Sequence, residues 1–553
     1  MLPLSLVLAV PLFVVLTYAG APINVTFPSK PPSEARDNVI DDNFIGISWE
    51  LSSFDTLWGK SVEAQPNAMQ NYLHNLIVRL SKPLRIRVGG NSMDGSTYVP
   101  SLQAVLELTD PNAYFNDVPV NFGPALFDVM NGMSDKAGDM EFMIGLSMRN
   151  PEAWGNIVEL ALAAEGKLGD RLDAMLLGNE PDLYAGHGER DKYTIPDYIP
   201  EIADVLGELR DSGALSKTII GGPSICCQWD LDDLFDAGFD KFDYKYYTVQ
   251  HYPNNACSGE TPQNTNLTYY LTHANLGEYL GWQKKGMHMA RQRNIPVLMS
   301  EYNSVSCGGS NISSTFGAAL WAIDAGLKAA AMNYSAVYLH TREYGVEYNL
   351  FDPPTPDTST LPGWRTGSTY YSALFLAEIG DSSGSVVVDL NLQNSTENQH
   401  STVAGYGIYG NGGETRSHLV FFNYASPSSA GEDTTQQFRI PANLSNHVDY
   451  RILTAPDVTE RTDIKWAGQT VGPNGDLEGD QQTVSFDCDD GCLIDIPGPG
   501  AAIVWLDSDG KLFTGNSTIA PYQYLSDGDS ARPGSSRTFV LLTIILGVLT
   551  FFA

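Results

Sequence analysis

The stretch Asp173-Ala-Met-Leu-Leu-Gly-Asn-Glu-Pro-Asp-Leu-Tyr184 decides how the rest of the chain is read. It opens with an apolar run, Ala174 to Leu177, suited to a buried strand. Gly178 breaks the run, Asn179 and Glu180 follow, and Pro181 stops the strand because proline cannot donate to a ladder. A carboxylic acid is thereby delivered at the C-terminal tip of a core strand. In a barrel of parallel strands that tip is where chemistry is done. A plain turn is the competing reading, since Asn, Pro and Asp all favour turns.

The flanking sequence supplies the barrel. Strand-like runs fall at 44–50, 84–90, 140–148, 174–180, 218–223, 246–252, 296–303 and 331–340. Amphipathic helix candidates lie between them at 67–81, 152–166, 199–211, 272–293 and 315–328, and one near 370–379 closes the set. This alternation predicts an α/β fold, a (β/α)8 TIM barrel over 40–380. An open doubly wound sheet is the alternative, but no Gly-x-Gly-x-x-Gly follows the first strand. From 381 to 510 short alternating runs such as His418-Leu-Val-Phe-Phe422 and Ala502-Ile-Val-Trp505 are separated by Gly, Asn and Ser turns. These predict a C-terminal antiparallel β-sandwich. The run Ile23-Asn-Val-Thr-Phe27, within 21–30 and isolated by Pro28, Pro31 and Pro32, is expected to join that sandwich.

A second acid matches the first. Pro296-Val-Leu-Met-Ser-Glu-Tyr-Asn303 is another apolar strand that ends by exposing a carboxylate, Glu301. Glu180 tops strand four and Glu301 strand seven, so a barrel brings both to one face. Two facing carboxylates are the equipment of glycoside hydrolysis: one protonated to serve the leaving oxygen, the other ionised to attack the anomeric carbon. Asn179 beside Glu180 is placed to hold a sugar 2-hydroxyl, which makes Glu180 the acid/base and Glu301 the nucleophile.

Composition limits the partners. The 553 residues include 32 Lys and Arg against 65 Asp and Glu, a net charge of -33. No basic run suits a nucleic acid. Leu2 to Thr17 followed by Ala19-Gly20-Ala21 predicts a signal peptide over 1–20. Asn-x-Ser/Thr sites start at Asn24, Asn266, Asn311, Asn333, Asn394, Asn443 and Asn516. Asn333 falls in the run read as the eighth strand. A polar stalk over 511–538 leads to a hydrophobic tail over 539–553, the pattern of a glycosylphosphatidylinositol signal; the expected membrane attachment is through that lipid. Six cysteines in an exported chain favour disulfides. Cys488 and Cys492 flank a turn, Cys257 and Cys307 lie in neighbouring loops, and the adjacent Cys226 and Cys227 have no assigned partner. No cysteine or histidine cluster predicts a metal, and no cofactor is expected.

Gly178-Asn-Glu-Pro181 and Ser300-Glu301, with Leu84-Arg-Ile-Arg-Val-Gly-Gly-Asn91, Gln250-His-Tyr252 and Glu301-Tyr-Asn-Ser-Val-Ser-Cys-Gly-Gly309, resemble the β-glucuronidases of glycoside hydrolase family 79. Heparanase belongs to the same family. The resemblance covers most of 21–510. It implies Glu180 as acid/base, Glu301 as nucleophile, Tyr252 touching the nucleophile and His251 on the same wall. It also implies that Gly308, Gly309 and Tyr348 receive the sugar carboxylate, with Asn91, Asp94 and Glu50 as weaker contacts to hydroxyls. The family often has Tyr before the glycine pair, where this chain reads Ser306-Cys307. The acidic balance repels a sulfated polyanion. The expected substrate is therefore terminal glucuronic acid or its 4-O-methyl form on a largely neutral glycan. A neutral-sugar β-glycosidase and a non-catalytic glycan-binding wall protein are the alternatives.

Overall fold

The computed structural model describes residues 21–507, apart from 111, 114–117, 216, 218, 343, 356–362 and 430–431. The segments read as signal peptide, stalk, tail and the Asn516 site lie outside the described residues. Eight parallel strands close a barrel in chain order. They are β1 Ile45–Glu50, β2 Leu84–Gly89, β3 Met140–Leu146, β4 Leu172–Leu177, β5 Ile220–Ile225, β6 Tyr246–His251, β7 Val297–Tyr302 and β8 Ala336–Thr341. The ring closes where Val337 to Thr341 of β8 run beside Ile45 to Trp49 of β1. Each strand is buried on both sides, as a parallel sheet wrapped by helices requires.

The sandwich uses strict alternation. Its larger sheet runs β9 Val386–Asp389, β10 Val403–Gly410, β11 Thr415–Asn423, β15 Gly500–Leu506, β13 His447–Thr454 and Lys465–Trp466; Val484–Asp487 pairs β13 from off this path. On β11, Leu419 and Phe421 face the sandwich core, whereas Val420 and Phe422 join the barrel's core. One strand thus serves two interiors because successive side chains point to opposite faces. The smaller sheet is Ile23–Asn24, β12 Gln436–Ile440 and β14 Cys492–Ile496. Ile23 pairs with Phe438, in parallel.

Several element boundaries differ from the sequence reading. β4 stops at Leu177, because Gly178 (φ 80°) and Glu180 (φ 50°) leave the extended region. The eighth strand begins at Ala336, not 331: helix Phe316–Ala331 runs on through its alanines, which are the strongest helix formers. Asn333 therefore sits in the turn with φ 77°, a conformation asparagine tolerates, and not in a strand. The helix expected over 272–293 is broken into His273–Asn275, Leu276–Gly281 and Lys284–Gln292.

Two buried charge networks tie barrel to sandwich. His273 reaches Asp324 of helix Phe316–Ala331 through Nδ1 and Asp389 of β9 through Nε2, both at 2.9 Å. Lys328 adds a 2.7 Å bond to Asp389, and Tyr406 donates to Asp324 at 2.6 Å. Glu378 accepts from Arg79 (2.8 Å), Arg451 (2.7 Å) and Trp466 Nε1 (3.0 Å).

Candidate active site

The C-terminal tips of the barrel strands surround a cavity of about 240 Å³. Glu180, beyond β4, and Glu301, in β7, both line it, with Glu50, Asn91, Tyr252, His340, Arg342 and Tyr348. Glu301 accepts from Arg87 Nη1 at 2.5 Å and from the Tyr252 hydroxyl at 2.9 Å. Burial, followed by the charge of Glu301, holds the Tyr252 phenol well above its ordinary pKa, so it remains a donor. Two donors fix the carboxylate in place.

Glu180 has the opposite environment. Burial raises its pKa well above the usual carboxylate range, and the negative charges of Glu301 and Asp182 add to the rise. Its left-handed backbone turns it out of the strand, and its N–H donates to Ser224 O at 3.1 Å. Two acids in one cavity thus have different surroundings: Glu301 is held by Arg87 and Tyr252, and Glu180 is raised by burial and neighbouring acids.

Asn179 lies behind this pair. Its Oδ1 accepts from Arg87 Nη2 at 2.6 Å, and its Nδ2 donates to Asn91 Oδ1 at 2.7 Å. The buried Gln250 carboxamide sits 2.9 Å from Asn179 Oδ1 and 3.2 Å from Glu180 Oε1. Arg87 also donates to Ser48 Oγ at 2.8 Å. One guanidinium therefore spans β1, β4 and β7, using the fork geometry that lysine lacks.

Glu50 lies on the cavity floor. Burial alone would raise its pKa, but Arg342, His340 and Ser92 outweigh burial and hold it at about 2. Gly90 stands against it with φ 82°, and a Cβ there would come within 2.3 Å of the carboxylate.

Four sequence expectations take different positions. Asp94 does not line the cavity: its carboxylate accepts from the Asn179 N–H at 3.1 Å and from the Tyr184 hydroxyl. It braces the strand-four tip from below, and burial raises it to about 6. His251 points out of the barrel, stacked between Tyr279 and Trp282 at 5.1 and 4.5 Å, with Nδ1 3.3 Å from Cys226 O. Its neighbour Gln250 takes the inward direction, as the period of two dictates. Gly308 and Gly309 also stand outside the lining, while Ser306 and Cys307 lie on it. Both glycines have positive φ (93° and 85°), and Gly308 O accepts from the Glu347 N–H at 2.8 Å. Arg87, Gln250, His340 and Arg342 were not singled out by sequence reasoning. The signal present for them was a polar side chain near the end of an apolar barrel strand.

The cysteines pair as Cys226–Cys227, Cys257–Cys307 and Cys488–Cys492. The first two bridges both reach the cavity wall.

Residues 405–503 match the glycosyl hydrolase family 79 C-terminal beta domain. A β-glucuronidase of Aspergillus niger is 26% identical over 476 residues, covering 77% of this chain and 82% of the relative. Its C-terminal domain is thus similar to that of glycosyl hydrolase family 79, and most of the chain is similar to a β-glucuronidase. A β-glucuronidase of Neurospora crassa is 26% identical over 388 residues, covering 66% of this chain and 68% of that one. The same fold is seen in a 4-O-α-L-rhamnosyl-β-D-glucuronidase from Fusarium oxysporum 12S, with a TM-score of 0.72 and 22% identity. That likeness covers 88% of this chain and 100% of the Fusarium chain.

Proposed function

We propose that this chain is a retaining exo-β-glucuronidase that removes terminal glucuronic acid or 4-O-methylglucuronic acid from largely neutral glycans. The observation that carries the reading is the shared cavity of Glu180 and Glu301, with the former raised and the latter held by Arg87 and Tyr252. The relatives named as β-glucuronidases support the sugar. In this scheme Glu301 attacks the anomeric carbon while Glu180 gives its proton to the leaving oxygen. Glu180, now ionised, then takes a proton from the water that releases the sugar. Arg342 and the Tyr348 hydroxyl at the floor are the groups to which the sugar carboxylate turns.

The test is a panel of aryl β-glycosides: glucuronide, 4-O-methylglucuronide, glucoside, galactoside and xyloside. Turnover of uronides alone, lost in Glu301→Ala, is the expected result. Turnover of a neutral glycoside keeps the two-glutamate chemistry and overturns the uronate assignment; Ser306 and Cys307, where the family often has Tyr, favour that second reading.

We also propose, from the sequence at 1–20 and 511–553, a secreted protein held at the cell surface by a glycosylphosphatidylinositol lipid. Release of the protein from membranes by a phosphatidylinositol-specific phospholipase tests this.

A further inference from the structure

We propose that the Cys226–Cys227 bridge, with Leu183 and His187, forms the platform on which the leaving-group sugar rests. This inference rests on the glycosidase reading of the cavity and adds the acceptance of a neutral pyranose on its acid side.

The cavity has two ends of different character. Glu50, His340, Arg342 and Tyr348 are all at most 3% exposed and form its floor beside Glu301. Leu183, His187, Cys226 and Cys227 line the other end, and His187 and Cys227 are exposed. This outer end is built on the loop of the acid. Glu180, Pro181, Asp182 and Leu183 are consecutive, and the Asp182 carboxylate accepts from the backbone N–H groups of Cys227 and Gln228 at 2.8 and 2.7 Å. Cys226 N–H approaches the same carboxylate at 3.3 Å. The bridge is therefore fixed to the segment that positions Glu180. Because the acid serves the leaving oxygen, whatever departs lies on its side of the cavity.

The chemistry of that end selects the ligand. Joining adjacent cysteines makes a compact ring whose two sulfurs are polarizable and only weak acceptors. Together with Leu183 it offers an apolar face, the complement of the C–H face of a pyranose. His187 beside the bridge supplies a hydrogen-bonding group for the hydroxyls around the ring's edge, and Asn254 and Asn255 add others elsewhere on the lining. Among the described lining residues the only Lys or Arg is Arg342, at the floor, so the outer end carries no fixed cation for a sulfate or carboxylate. A neutral sugar fits it and an anionic one does not.

The experiment compares two substrates, glucuronic acid β-linked to galactose and methyl β-glucuronide, in the wild type and in Cys226→Ala/Cys227→Ala. The expected result is that the double variant lowers kcat/KM for the disaccharide roughly tenfold more than for the methyl glucuronide, mainly through KM. Leu183→Ala, which keeps the bridge, should lower the same ratio by a smaller factor. Equal loss on both substrates, or no loss, overturns the proposal. Saturation-transfer NMR with methyl β-galactoside reads the platform without turnover: contact in the wild type, lost in the double variant, is expected. If the wild type hydrolyses no glucuronide, the glucuronidase reading falls, and the NMR contact alone decides the platform.

Discussion

The cavity and the seam between barrel and sandwich both bury carboxylates, and Glu180 in the cavity is treated in the opposite way to the acids of the seam. At the seam every acid has its counter-charge: Asp389 meets His273 and Lys328, and Glu378 meets Arg79 and Arg451. Burial opposes ionisation of Asp389, yet His273 and Lys328 outweigh it and hold the group at about 2. In the cavity, Arg87 engages Glu301 and Asn179 directly, and at Glu180 burial and the neighbouring acids Glu301, Asp182 and Glu50 outweigh the more distant charge of Arg87. A desolvated charge that is paired holds structure together. A desolvated acid pushed toward its neutral form is a proton donor in waiting.

Substitutions on the two sides should separate these roles. The largest expected effect is Glu301→Ala, which removes the proposed nucleophile and should lower kcat by ~10^4-fold or more with the thermal midpoint little changed. Glu180→Gln should cost roughly 10^3-fold on a glucuronide with a poor leaving group and far less on one with an activated aryl group. Wild-type kcat should fall as pH rises through the raised pKa of Glu180, and that alkaline limb should vanish in Glu180→Gln. Arg87→Met should lower kcat ~10^2-fold, because Tyr252 alone then holds Glu301; an unchanged rate would sink its role. Each of these reads kinetics.

At the seam the measurement is stability. Burial would lower His273, but Asp324 and Asp389 outweigh it and raise it to about 9. A raised pKa contributes stability that is complete below the unfolded histidine value, about 6.5, and is lost as pH rises through about 9. Asp389, depressed to about 2, contributes in the other direction: its share is present above roughly 3.9 and is lost as pH falls through about 2. His273→Ala should destabilise by about 3–5 kcal/mol near neutrality. Its difference from the wild type should shrink toward pH 10, and a constant difference across that range would remove the charge from the argument. The smallest effect belongs to Asp94→Asn, which keeps the acceptor for Asn179 N–H and Tyr184 OH and should change kcat only severalfold.

The barrel was legible because its grammar is short. An apolar run broken by a residue of special backbone freedom and followed by an acid appears at Gly178-Asn179-Glu180. A comparable run that ends on an acid appears at Ser300-Glu301. The sandwich was legible from alternation, which sorts Leu419 and Phe421 from Val420 and Phe422. What stayed hidden depends on register. Reading inward direction one residue off turns His251 toward the two glutamates in place of Gln250, and no local feature of Gln250-His-Tyr252 says which side chain turns in. Arg87 was hidden differently: it stands in an apolar strand whose partners, Ser48, Asn179 and Glu301, lie on three other segments. The alanines before Asn333 suit helix as well as strand, and there tertiary context chose.

The short strand Ile23–Asn24 has a consequence for how the protein is made. Its partner Phe438 lies 415 residues later, 438 minus 23. On a ribosome, Ile23, Val25 and Phe27 leave the tunnel early, yet the sandwich core that buries them also needs Ile494, Ile496, Ala502 and Val504. The barrel can close while synthesis continues, but the smaller sheet cannot. For most of its synthesis the chain trails an uncovered apolar edge, and contacts this distant in sequence form slowly. The sandwich is the step at which a folding helper has the longest time to act.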